Sequence, residues 1–196
     1  MAGAYVVVDT ETANLRGAPL LLELGALLVV DGVEQSSFHA LVRPGVRIDP
    51  AASAIHGIVD GDLVDAEELA PALARFERWR AAVPFVAHNA GFDANVLAHA
   101  HARAGRRAIE QPWYDSLKLA RCTAPDADNH RLATLVRHFA LGAEPPHRAL
   151  ADARACAAVV RACLALAGLP IDTPPSAWPG RASRALRSRS LTSAAD

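Results

Sequence analysis

Apolar residues along this chain come first in short β-branched blocks and later in faces spaced by three and four. Ala4–Asp9 (AYVVVD) is such a block ending on an acid, which predicts a strand buried on both faces that surfaces at its C-terminal end. Leu20–Val30 is a second apolar run. Asp31-Gly32 then supplies a two-residue hairpin signal into Val33–Val42, whose weaker alternation fits an outer strand. Pro44 and Pro50 mark a loop before a short piece, Ser53–Ile58. Pro71 suits the first turn of a helix with Leu73, Phe76 and Trp79 on one face. Pro84–His88 reads as a strand and Phe92–Ala104 as the helix after it. Trp113-Tyr114 makes a further short strand, with Asp115 placed to cap the next helix. A helix near Leu132–Phe139 leads to the Pro145-Pro146 break. The longest helix follows over Ala149–Ala167 and stops at Gly168 and Pro170. A strand meander followed by strands alternating with helices predicts an α/β fold, a mixed sheet with helices on its faces.

Composition narrows the class. The 196 residues suit one domain, and a content of 52% hydrophobic and 21% charged residues excludes a disordered chain and a disulfide scaffold. The longest apolar run contains Glu23, and no basic stretch precedes the run at Met1–Val8. No membrane association and no secretory leader are therefore expected, and cytoplasm is the default location. Cys122, Cys156 and Cys163 form no CxxC pair and read as buried thiols. A net charge of −1 argues against coating long DNA but leaves a binder of short ends open. From Thr173 the composition turns to Pro, Ser, Ala and Arg, including Arg181, Arg184, Arg187 and Arg189. A basic contact to nucleic acid or a partner is one reading and a solvated end is the favoured one, giving a domain over 1–169 and a flexible tail over 170–196.

Four acids stand out. Asp9 and Glu11 lie two apart at a strand end, on one face if the strand continues, and two like charges side by side invite a cation between them. Asp93 opens the helix after Pro84–His88, and the C-terminal edge of strands is where open sheets place their sites; alone, it fits a first-turn acid favoured by the helix dipole. Asp152 sits in a helix apolar around most of its circumference, so it needs a cation or an arginine, with Arg148 and Arg154 as candidates. His147 lies five residues before Asp152. A helix would turn the two about 140° apart, so His147 belongs to the loop leading in, where it can lean over the same site.

Asp9-Thr10-Glu11-Thr12, His88-Asn89-Ala90-Gly91-Phe92-Asp93 and His147-Arg148-Ala149-Leu150-Ala151-Asp152-Ala153 resemble, in order and spacing, the three motifs of the DnaQ-like DEDDh exonuclease family. That family includes the proofreading epsilon subunit of bacterial DNA polymerase III and ribonuclease T. Glu23-Leu24-Gly25-Ala26, Ile55-His56-Gly57-Ile58 and Asp115-Ser116-Leu117 are similar as well. Asn14 replaces a glycine common in relatives, and asparagine tolerates a left-handed backbone there. The resemblance implies a ribonuclease H-like fold with a five-stranded mixed sheet in the order 3-2-1-4-5 and helices on both sides. It implies that Asp9, Glu11, Asp93 and Asp152 hold two divalent cations and that His147 is the general base. It also places Thr12, Ile55, His56, Asn89 and Phe92 around the terminal nucleotide, although Phe92 fits core packing equally.

All-carboxylate ligation favours Mg²⁺ or Mn²⁺. The expected activity is metal-dependent 3′→5′ hydrolysis at single-stranded or frayed ends, releasing 5′-nucleoside monophosphates, with a polymerase or repair complex as an expected partner. DNA is favoured over RNA because the motifs look closest to the polymerase-associated branch. RNA trimming is the alternative, and a non-catalytic nucleic-acid-binding subunit the remaining one.

Overall fold

The computed structural model describes residues 3–142 and 147–186. Five strands form one sheet: β1 (Ala4–Thr12), β2 (Leu21–Val30), β3 (Val33–Leu41), β4 (Phe85–Ala87) and β5 (Trp113–Asp115), in the order β3-β2-β1-β4-β5. The first three form an antiparallel meander, while β4 runs parallel to both β1 and β5. The hairpin between β2 and β3 turns at Asp31 and Gly32, with φ of 50° and 75°, the positive pair that a two-residue turn of this hand requires.

Among the described residues six α-helices accompany the sheet: α1 (Pro50–His56), α2 (Leu69–Trp79), α3 (Gly91–Arg103), α4 (Ser116–Thr123), α5 (Leu132–His138) and α6 (Ala149–Leu166). Strand alternation divides the core. Tyr5 and Val7 of β1 face one apolar layer, built with α4, α5 and α6, while Val6 and Val8 face another, built with α2 and α3. Asp9 and Glu11 continue the Tyr5 and Val7 side, toward α6.

Two expectations change. Pro50 does not extend a loop but starts α1 at its first position, with the Asp49 side chain accepting the Ala51 N–H; proline loses no hydrogen bond there. The stretch after Pro170 is not a solvated tail as far as Leu186. Trp178 is buried at 2% exposure, packs edge-on against Tyr5 and Tyr114, and donates its indole N–H to Thr173 O. Leu186 exchanges two backbone hydrogen bonds with Trp113, covering the open edge of β5. A tryptophan can bury more apolar area than the surrounding Pro, Ser and Arg keep in water, so it anchors the segment. Arg187 and Arg189 lie outside the described residues, as does the Pro145-Pro146 break. Among the described residues no helix is long and apolar enough to cross a membrane.

Candidate active site

β1 and β4 end side by side, and their C-terminal edge gathers the acids. The strand conformation of β1 persists to Thr12, so Asp9 and Glu11 do share a face. Directly across on β2 stand Gly25, opposite Asp9, and Glu23, opposite Glu11. Gly25 has a steric reason to be glycine: a Cβ there would fall 2.2 Å from Leu150 N and 2.3 Å from Ala149 C. The N-terminus of α6 thus lies directly on the sheet and delivers Asp152 beside β1. Asp93 comes from the first turn of α3, is 2% exposed, and accepts a 2.8 Å hydrogen bond from Thr10 Oγ1.

A ring nitrogen of His147 and carboxylate oxygens of Glu11 and Asp152 all lie within 4.8 Å of one another. His147 is exposed and adopts φ of 64°, off the helix, as the spacing to Asp152 required. Its backbone N–H donates to Asp152 Oδ2 at 2.9 Å. Asp9 lies deeper and, among its acidic neighbours, feels Asp93 most, then Asp152 and Glu11.

Crowding shows in the protonation equilibria. Burial pushes the Glu11 carboxyl up to about 8, helped by Asp152, Glu23 and Asp93. Asp9 is held well above the usual range by burial and then by its acidic neighbours. Burial raises Asp93 and Asp152 as well, against the Thr10 hydroxyl at the former and the His147 N–H at the latter. Four enclosed carboxylates that resist ionising together form the donor set that hard divalent cations satisfy, so the residues fit the metal ions expected.

Glu23 behaves oppositely. It is 1% exposed, yet its carboxyl is lowered to about 2; burial opposes the shift, and hydrogen bonds from His39, Arg148 and the Ala149 N–H overcome it. Arg148, one candidate partner for Asp152, reaches Glu23 at 2.8 Å, while Arg154 bonds Glu34. In the sequence Glu23 stands out only as a charge interrupting an apolar run and as part of a family-like tetrapeptide. A charged residue inside a buried strand was the available signal.

The expected nucleotide-contacting residues flank the acids. Thr12 ends β1 and bonds Asn14 O, and its own carbonyl accepts from His56 Nε2 at 3.3 Å. His56 is buried, which lowers its pKa, and its Nδ1 accepts the Ile58 N–H. On the other side Asn89 takes φ of 68° in the turn between β4 and α3, with its N–H held by Asp115, which also caps α4 as expected. Ile55 and Phe92 are each 47% exposed, so Phe92 is not core packing. Asn14 has no left-handed backbone; its side chain instead bonds Arg16 O, Ala18 O and Leu20 N, closing the loop after β1 from within.

A 3-2-1-4-5 sheet with carboxylates gathered at the ends of β1 and β4 defines a ribonuclease H-like nuclease. Within that class the chain belongs to the exonuclease family RNase T, the DnaQ-like group, matching it over residues 6–160. It is 33% identical over 154 residues to the PolC-type DNA polymerase III of Listeria monocytogenes, a match covering 78% of this chain and 11% of that protein. The chain therefore spans about a tenth of the length of such curated relatives. Exonuclease X in complex with 5′-overhanging duplex DNA superposes with a TM-score of 0.66 at 28% identity, over 86% of this chain and 96% of that one. Escherichia coli exonuclease I with a dT13 oligonucleotide has the same fold, with a TM-score of 0.71 at 19% identity over 82% of this chain and 41% of that one.

Proposed function

We propose that this exonuclease works in the 3′→5′ direction on single-stranded or frayed ends, preferring DNA to RNA and releasing 5′-nucleoside monophosphates. The observation that carries the reading is the convergence of Glu11, Asp152 and a ring nitrogen of His147 within 4.8 Å, beside the deeper Asp9 and Asp93. Asp9, Glu11, Asp93 and Asp152 would hold two divalent cations, Mg²⁺ or Mn²⁺. Such ions, when bound, acidify the attacking water and stabilise the leaving 3′ oxygen. His147 would take the water's proton on the ring nitrogen that faces the acids. Ile55 and Phe92 offer exposed apolar surfaces against which a terminal base can lie, while Thr12, His56 and Asn89 border the same edge. The net charge of −1 gives no broad positive surface for gripping or melting a duplex, which supports a preference for ends already frayed.

DNA is favoured because the relatives matched at about a third identity are DNA polymerases, and the structure at 28% identity holds DNA. Work alongside a polymerase or in repair, within the cytoplasm, follows from that choice. The test uses 5′-labelled single-stranded DNA, blunt duplex and matched RNA, with Mg²⁺ or Mn²⁺ or EDTA, with and without a 3′-phosphate block. A ladder shrinking from free 3′ ends, fastest on single strands and absent in EDTA, is expected. Internal cuts, early release of the 5′ label or indifference to the block would overturn the polarity; exclusive action on RNA would overturn the choice of polymer.

A further inference from the structure

Glu23 lies directly opposite Glu11 but does different work. Its Oε1 accepts from His39 Nε2 at 2.7 Å and from Arg148 Nη2 and Nε at 2.8 and 3.1 Å, while Oε2 accepts the Ala149 N–H at 2.9 Å. Both oxygens are thus occupied by N–H donors, leaving no open face for a cation. The donors sit at a telling place. Arg148 is the N-cap residue of α6 and contributes no side-chain cap, and Ala149 is the helix's first residue. The missing cap is supplied from the sheet by Glu23, 126 residues away from Ala149 in the chain. His147 is joined to one end of this clamp, and Asp152 stands one turn beyond the other. Gly25, two residues along β2 on the same face, lets the backbone of Ala149 and Leu150 come that close.

We infer that Glu23 is a positioning residue for hydrolysis: through Arg148 and the Ala149 N–H it fixes the His147 ring over Glu11 and Asp152, without itself binding metal. This inference rests on the proposed reading of His147 as the base. A base displaced by about 1 Å can lose on the order of 10²-fold in rate, whereas a charge pair serving stability alone would leave the turnover of the folded protein untouched.

The test compares wild type, Glu23→Gln, Arg148→Met, His147→Ala and Glu23→Gln/His147→Ala. Single-turnover hydrolysis of single-stranded DNA at saturating Mn²⁺, Mn²⁺ binding by calorimetry and thermal unfolding are measured for each. Glu23→Gln and Arg148→Met should slow turnover by about 10- to 10²-fold while Mn²⁺ affinity holds. The double variant should be about as slow as His147→Ala alone, since both changes disable one unit. Multiplying effects, full-speed Glu23→Gln and Arg148→Met, or Mn²⁺ affinity falling in step with rate would each overturn the inference. Should Glu23→Gln fail to fold, Arg148→Met and Arg148→Met/His147→Ala ask the same question from a side chain that is 52% exposed. A full-speed His147→Ala overturns the base reading and this inference with it; a slow His147→Ala beside a full-speed Glu23→Gln overturns this inference alone.

Discussion

The backbone N–H of His147 donates to Oδ2 of Asp152 at 2.9 Å, so the loop that carries the histidine is tied by its main chain to one of the clustered acids. His147 holds this position at φ of 64°, a region that a side chain bearing Cβ occupies only under strain. The tie survives loss of the imidazole.

It follows that His147→Ala should lower turnover by about 10²- to 10⁴-fold and leave divalent-ion binding intact. His147→Gly should be equally slow yet more stable than His147→Ala, by about 1 kcal/mol, because glycine carries no penalty at positive φ. Kinetics and denaturant unfolding of the two variants separate the loss of the base from the relief of strain. Equal stabilities would mean that the left-handed turn is not maintained in solution.

Metal-free protein should lose stability as pH rises. Glu11 ordinarily titrates near 4.5 and is pushed up to about 8 in the fold, with Asp9, Asp93 and Asp152 also raised. Through that window the native state holds protons that the unfolded chain has released, so the stabilising contribution is complete below the ordinary carboxylate range and is lost as pH climbs through the folded value. The Tm in EDTA should therefore be lower at about pH 8.5 than at about pH 5.5. Saturating Mn²⁺ should reverse the trend, because ions bind the deprotonated ligands. Asp9→Asn should raise the EDTA value at the higher pH. Glu23, lowered to about 2, loses its contribution only below this window. A Tm in EDTA that rises from pH 5.5 to 8.5 would sink the crowded-acid account.

Trp178 carries the third prediction. It is 2% exposed between Tyr5 and Tyr114, so Trp178→Ala should cost about 3–5 kcal/mol. Ending the chain after Pro170 should cost at least as much, since it also uncovers the edge of β5 at Trp113. Chemical denaturation measures both. A truncation that leaves stability unchanged would restore the solvated-tail reading.

Much of this was legible because it is local. Three short motifs single out Asp9, Glu11, Asp93, His147 and Asp152 as candidates, and the structure brings Glu11, His147 and Asp152 within 4.8 Å of one another, with Asp9 and Asp93 as acidic neighbours. What escaped depends on partners distant in sequence or on one residue outweighing its surroundings. Glu23 gains its meaning from Arg148, 125 residues later. Trp178 overrides the Pro, Ser and Arg around it. Asp49 and Pro50 together are a start signal for α1, yet proline alone read as a break, because a seven-residue helix has too few turns to show periodicity. Asn14 makes its turn through side-chain bonds to Arg16 O, Ala18 O and Leu20 N, which the backbone preference of asparagine does not foretell.

Gly25 offers the sharpest separation of fold from chemistry. A methyl group at this position meets backbone rather than a movable side chain: Leu150 N at 2.2 Å, Ala149 C at 2.3 Å and Ala149 O at 2.5 Å. Either β2 or the start of α6 must yield, and the interior of β2 is hydrogen-bonded on both edges, to β1 and to β3. The helix start should move instead, taking Asp152 and His147 away from Asp9 and Glu11. Gly25→Ala is therefore expected to cost about 1–3 kcal/mol of stability, as overpacking does, while turnover at a temperature where the variant is fully folded falls by on the order of 10²-fold. Gly61→Ala is the control, since a Cβ there meets nothing within 4 Å; it should keep wild-type turnover and lie within about 0.5 kcal/mol in stability. If Gly25→Ala loses stability but keeps its turnover, the approach of α6 to the sheet matters for packing alone.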